Sequence, residues 1–266
     1  MNESNVLYSI VLGIVQGIGE FLPISSSGHL VVVSSVMDGK PLPLSLNIAL
    51  HIGTLAAVLI YFWRDWLNLA LRLLGRVTRR EKSFESDILF PILIIGTIPA
   101  AIVGLAWEKE IEAIFHNPVS VAVPLALVGV LIWWGDVRSP SRKVMTDLTY
   151  RDGFLIGVAQ AMALIPGVSR SGITILCGRV LSYRKEDAAK FSFMLGTPAM
   201  LGAAILDADQ IMQSLAQADF YVGILVSMVV GCLAIRFLLS FLRRFGFGAF
   251  AIYRLLLAAV ILAVAL

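Results

Sequence analysis

Gln16 and Glu20 stand four residues apart, so on a helix both side chains project from one face. An amide oxygen beside a carboxylate suits a hard divalent cation such as Mg²⁺ or Ca²⁺ better than a soft metal. Pro23 then interrupts the chain, and Ser25, Ser26, Ser27 and Gly28 open the next stretch, with His29 directly behind them. The first N–H groups of a helix lack internal partners and the dipole there favours anions, so this pattern predicts an anion-binding helix start. A second group repeats it: Gly13/Gly157, Gln16/Gln160, Ser25/Ser169, Ser27/Ser171 and Gly28/Gly172 share one offset of 144 residues. The second copy carries Arg170 between Ser169 and Ser171, and a guanidinium can grip phosphate oxygens bidentately. Two anion-binding helix starts, one Arg and a cation describe a phosphate or diphosphate site.

His29 falls in the first turn after the serines and is a candidate nucleophile or proton shuttle. A histidine that only hydrogen-bonds its own loop is the plainer reading of the residue alone. Beside Ser26 and Glu20, the catalytic reading is preferred. His51, next to Gly53 and Thr54 in an apolar run, reads as a packing residue, and His116 as solvated. Gly53-Thr54, Gly96-Thr97 with Pro99, and Gly196-Thr197-Pro198 read as close helix crossings rather than ligand contacts.

The elements that position these groups are apolar. With 58% hydrophobic residues, 15% charged residues and a mean hydropathy of +0.87, the chain classes as a multispanning membrane protein. Apolar segments run at about 5–22, 28–37, 44–63, 88–107, 118–134, 151–165, 171–181, 187–206, 219–239 and 248–266. The start Met1-Asn-Glu-Ser-Asn lacks a basic region, so the first run is not expected to be a cleaved signal. Segments 28–37 and 171–181 are too short to span, and each follows one polar motif. That predicts two helix–loop–helix hairpins that enter the membrane and turn back. Cys177 and Cys232 have no partner spacing and read as small core residues.

Charge predicts orientation. The stretches 64–87, 136–151, 179–190 and 236–254 hold 18 of the 21 Lys and Arg, and the positive-inside rule makes them cytoplasmic. This topological pattern, not nucleic acid, accounts for a pI near 9.0. Tracing the chain places both termini outside, with the first hairpin entering from outside and the second from the cytoplasm. The expected fold is an all-α polytopic membrane protein of roughly ten segments in a single domain over 1–266. Two inverted five-segment repeats, about 1–135 and 150–266, compose it. Trp63, Trp66, Trp107, Trp133 and Trp134 fall at segment ends, as interfacial anchors do. After that accounting Arg170 is the one basic residue outside a cytoplasmic stretch or exterior loop, and Glu20 the one acid deep in an apolar segment. An intramembrane charge marks a functional site by default. A purely structural ion pair would not call for five neighbouring serines.

Gln16-xxx-Glu20 followed by Pro23-x-Ser-Ser-Ser-Gly-His29, together with Pro166-Gly-Val-Ser-Arg-Ser-Gly-Ile-Thr174, resembles the bacterial undecaprenyl-diphosphate phosphatase family of the bacitracin-resistance type. The resemblance covers the whole length, and its two motifs are specific when found together. It implies hydrolysis of undecaprenyl diphosphate to undecaprenyl phosphate and phosphate at the outer face of the bacterial inner membrane, recycling the carrier lipid for peptidoglycan synthesis. By the same resemblance Gln16 and Glu20 fall on the acidic motif linked to metal and catalysis. Ser26 and His29 fall on nucleophile or acid–base positions, and Ser169, Arg170, Ser171 and Thr174 on the diphosphate-binding motif. Position 16 is Gln, the weaker ligand of the two the motif allows. Partners implied are the polyprenyl diphosphate and the bilayer, with a homodimer admissible and no nucleic acid.

Three attack routes fit these residues: Ser26 deprotonated by Glu20 or His29, His29 itself, or water directly. Ser27-Gly28-His29 also matches part of a lipid phosphate phosphatase signature, but the histidine required after the Arg is Leu176 here. A transporter or flippase of a phosphorylated lipid is the rival class, since inverted repeats with crossed hairpins are transporter architecture.

Overall fold

The computed structural model describes residues 3–38, 42–74, 88–115 and 118–265. His116, Lys40 and positions 75–87 of the first basic stretch lie outside the described residues, as do the side chains of Glu108, Lys109 and Glu112. The described residues form helices α1 (Glu3–Phe21), α2 (Ser26–Asp38), α3 (Leu44–Tyr61), α4 (Trp63–Leu73), α5 (Leu89–Ile114) and α6 (Pro118–Arg138). A 3₁₀ turn at Met145–Asp147 leads to α7 (Tyr150–Met162), α8 (Arg170–Val180), α9 (Lys185–Leu206), α10 (Ala208–Ser214), α11 (Ala218–Leu242) and α12 (Gly248–Ala265). All ten expected apolar segments are helical. The chain adds two short helices that the hydropathy did not separate, α4 and α10.

Among these, α3, α5, α6, α9 and α11 are long and apolar enough to cross a membrane. Helices α2, α7 and α8 are 13, 13 and 11 residues long. At a rise of about 1.5 Å per residue they reach about 16–20 Å, short of a hydrocarbon core of about 30 Å.

Local sequence explains the breaks. Helix α1 stops two residues before Pro23, whose ring disfavours helical geometry in its predecessor. Thr149 caps α7, accepting from the Asp152 amide, while Ser169 caps α8 by accepting from the Gly172 amide at 3.2 Å. Pro99, Pro124 and Pro198 lie inside α5, α6 and α9, as neighbouring helices in a membrane bundle permit.

Packing pairs the halves. Helix α11 lies against α1 and α3, and α5 lies against α7 and α9. Exchanging the first five segments for the last five maps one of these groups onto the other, and maps the α6–α12 and α3–α9 contacts onto themselves. Small residues permit the crossings, as expected. A Cβ on Gly157 would fall 2.2 Å from the Gly96 carbonyl oxygen, so α7 and α5 meet backbone to backbone. Trp63, Trp107, Trp133 and Trp134 are about half exposed, with Trp107 at the end of the apolar part of α5 rather than of the helix, whereas Trp66 is partly buried against the main core. Both cysteines are free.

Candidate active site

Glu20 lies in the last turn of α1 and is 8% exposed. One carboxylate oxygen accepts from the Arg170 guanidinium at 2.8 Å, a contact between residues 150 positions apart. The other accepts from Ser26 Oγ at 3.0 Å and from Gln16 Nε2 at 3.1 Å. The two polar motifs therefore meet at one carboxylate, and the hydroxyl nearest it belongs to Ser26. Ser26 opens α2 and Arg170 opens α8, so two helix starts meet at this carboxylate.

The serines hold the two turns in matching shapes. Ser25 and Ser169 both adopt positive φ, 74° and 71°. Such a conformation costs a non-glycine residue on the order of 1–3 kcal/mol and persists only where the surroundings fix it. Ser25 Oγ lies 3.3 Å from Ser27 Oγ, and Ser169 Oγ lies 3.3 Å from Ser171 Oγ. Ser171 also donates to the Leu22 carbonyl at 3.3 Å, joining the second turn to the first. Ser27 is exposed, while a Cβ on Gly28 would fall 3.7 Å from Ser25 Oγ, an ordinary contact.

Arg170 is oriented from α9. Its second terminal nitrogen donates to the Ser192 carbonyl at 3.2 Å, and a Cβ on Gly196 would fall 1.8 Å from the guanidinium. Gly196 thus makes room for the arginine, a role the packing expectation did not include. Thr174 donates to the Arg170 carbonyl at 2.7 Å and shares a 2.6 Å hydrogen bond with Ser192 Oγ. It braces the start of α8 against α9, and Gly172 contributes the amide bonded to Ser169.

His29 points elsewhere. Its Nδ1 lies 2.7 Å from the Ser25 carbonyl oxygen, which only accepts, so Nδ1 carries a proton. Nε2 hydrogen-bonds Tyr253 Oη, and the two rings stack at 5.6 Å. Among the described residues His29 makes no hydrogen bond to Glu20 or Ser26. His51 bonds the Asn47 carbonyl of its own helix at 2.9 Å.

For a cation, the relevant atom is Gln16 Oε1, which is buried with no hydrogen-bond partner among the described residues. An orphaned buried oxygen next to a carboxylate fits one edge of a hard-cation shell. The described residues hold no group of three or more His, Cys, Asp or Glu able to ligate a metal.

Not every charge in the basic stretches is solvated. Arg254, counted with the cytoplasmic stretch 236–254, is fully buried beside both turns, and Arg179 is 2% exposed. Asp152 is also buried, at 4%. Proximity to a basic stretch does not report burial, because helix packing covers the first turn of α7, the second turn of α12 and the last turn of α8. Arg179 pairs with Asp136 at 3.6 Å, and Asp152 accepts from Tyr183 at 2.7 Å and Lys143 at 3.3 Å. These bonds fasten both ends of the second helix pair. Burial, and then the bond to Asp152, push the Tyr183 phenol up. Tyr253, Arg254, Ser192 and Gly196 are the site-forming residues that sequence reading missed. Only Arg254 left a signal, lying about two turns inside the last apolar run.

A family model described as bacitracin resistance protein BacA matches residues 9–260. A protein of Moorella thermoacetica named undecaprenyl-diphosphatase is 44% identical over 97% of both chains. Proteins with the same name from Thermodesulfovibrio yellowstonii and Pelotomaculum thermopropionicum are 43% identical over 95% of both chains and 39% identical over 98% of this chain and 97% of the relative.

Proposed function

This chain belongs to the bacitracin resistance protein BacA family, and we propose that it does what its relatives' name states, hydrolysing undecaprenyl diphosphate to undecaprenyl phosphate and inorganic phosphate. The observation that carries this reading is the Glu20 carboxylate, bonded on one side to a hydroxyl at a helix start and on the other to Arg170. That is a nucleophile and a phosphate grip, each within hydrogen-bond reach of one base.

Diphosphate oxygens compete with Glu20 for Arg170 and draw the guanidinium onto the substrate. Glu20, relieved of that partner, keeps its bond to Ser26 and accepts the Ser26 proton. Ser26 Oγ attacks the terminal phosphorus, the bond to the bridging oxygen breaks, and undecaprenyl phosphate leaves. Water then cleaves the phosphoserine and releases phosphate. The N–H groups at the starts of α2 and α8, with Arg170, offset charge on the phosphate oxygens, the main service an enzyme gives phosphoryl transfer. Gln16 Oε1 and Glu20 would hold a divalent cation of the Mg²⁺ or Ca²⁺ kind, which would supply further neutralisation there. Ser26 is favoured over His29 as nucleophile because Ser26, not His29, bonds the carboxylate. Ser25, Ser27, Ser169 and Ser171 line the phosphate-binding turns, with Thr174 bracing them.

The two helix pairs are hairpins entering from opposite sides of the membrane. The short reach of α2, α7 and α8, the exchange pattern of helix contacts and the basic stretches support this inverted arrangement. In it the first hairpin and the site open to the outer face of the bacterial inner membrane.

The test is phosphate release by purified protein given undecaprenyl diphosphate. Glu20→Ala and Arg170→Ala should each abolish it, and activity that survives either change would overturn this assignment. Lipid crossing between leaflets without phosphate release would favour the transporter class instead.

A further inference from the structure

Arg254 is a buried cation held by backbone carbonyls. It lies on α12 with no measurable exposure, and among the described residues it forms no ion pair. The hydrogen bonds it donates go to backbone carbonyls: Nε to Leu125 on α6 at 3.0 Å, one terminal nitrogen to Pro23 at 3.2 Å, the other to Gly167 at 2.9 Å and Val168 at 3.0 Å. Three of these acceptors lie in the two helix breaks, where the turn of the chain carries the amides away from them. An unsatisfied carbonyl is costly in a bilayer, and a donor of this kind lets a helix break sit at membrane depth.

We propose that Arg254 is a positioning residue for the hydrolysis described above, clamping the tips of both hairpins to each other through their backbones. The clamp acts close to the chemistry. The Pro23 carbonyl is three residues before Ser26, and the Val168 carbonyl is two before Arg170. Holding both fixes the nucleophile side against the phosphate-gripping side, and misplacement of a reacting group by 1 Å costs about 100-fold in rate. A planar guanidinium suits the task because its donors diverge in one plane toward three chain segments. A lysine ammonium brings the same charge without that fork. The preceding residue, Tyr253, bonds His29, so two successive residues of α12 reach the first hairpin.

This inference rests on the phosphatase reading for its rate prediction only; the distance between the tips is independent of it. Spin labels at Val32 and Met162, exposed positions on α2 and α7, report the separation of the hairpins in a background with both free cysteines replaced by alanine. The wild-type distribution should be narrow. Arg254→Lys should broaden it and lower kcat about 100-fold while KM moves less than about threefold. Wild-type kcat and a narrow distribution in the lysine variant would overturn the clamp, since charge alone would then suffice. A lowered kcat with an unchanged distribution would overturn it too. Should the variant not fold, a broad distribution in the wild-type protein would do the same. Failure of the phosphatase reading appears differently, as absence of phosphate release from wild-type protein whatever the distances.

Discussion

Replacing both members of the Glu20–Arg170 pair should separate stability from catalysis. The pair is close, 2.8 Å, and its side chains are 8% and 15% exposed. Removing one partner from a fully buried pair costs about 3–5 kcal/mol, because a charge is left without compensation. Here Arg170 keeps the Ser192 carbonyl and some exposure, and Glu20 keeps Gln16 and Ser26. We therefore expect about 2–3 kcal/mol for Glu20→Gln or Arg170→Met alone. That is about 4–12 °C in thermal midpoint for a chain of this size. In the double variant neither charge remains, and the loss should shrink to about 1 kcal/mol or less. Catalysis should not recover. Loss of a general base costs about 10²–10⁴-fold and loss of an arginine on the transferred phosphate at least as much, so kcat/KM should stay below the wild type by at least about 10³-fold, or about 4 kcal/mol of barrier. Thermal unfolding in detergent and phosphate release from undecaprenyl diphosphate measure the two quantities on the same samples. A double variant within about tenfold of wild-type kcat/KM would refute the catalytic assignment. A stability loss equal to the sum of the single losses would refute the coupling of the pair.

Ser26→Ala should lower kcat by about 10²–10⁴-fold, and acid quench of the wild type during turnover should trap phosphoserine at position 26; a quench that yields no phosphoenzyme would select direct attack by water. Gly196→Ala should displace the Arg170 guanidinium, the flexible end of a long side chain, and lower kcat/KM about tenfold or more with little loss of thermal midpoint; unchanged kinetics would show that Arg170 does not act from its seat on α9. Because burial raises the Tyr183 phenol above its unfolded value, its stabilising contribution is complete below about pH 10 and is lost as pH rises through the folded value. Tyr183→Phe should accordingly flatten the alkaline fall of the thermal midpoint, and an unaltered fall would assign that limb to other groups.

The positions of the helices were legible because lipid-soluble segments must be apolar along their length, and the polar motifs stood out against them. The two extra helices escaped for opposite reasons. Helix α4 carries Arg64, Asp65 and Arg72 on an otherwise apolar stretch and reads as a charged loop, although Asp65 bonds Lys190 at 2.6 Å. Helix α10 is only seven residues long, too short for a periodic signal.

At the site, the sequence alone determined which polar side chains meet. Gln16, Glu20, Ser26 and Arg170 are types with few other uses at membrane depth, and their repeat spacing implied that two distant segments share one cavity. Tertiary structure decided how they are held. Ser192 and Leu125 enter through carbonyls, Gly196 through an absent side chain, and Arg254 through bonds to residues 86 to 231 positions away. Every residue carries a backbone carbonyl, so nothing in the identity of Pro23, Gly167 or Val168 announces that an arginine binds there. Only the folded arrangement of the two breaks around α12 does.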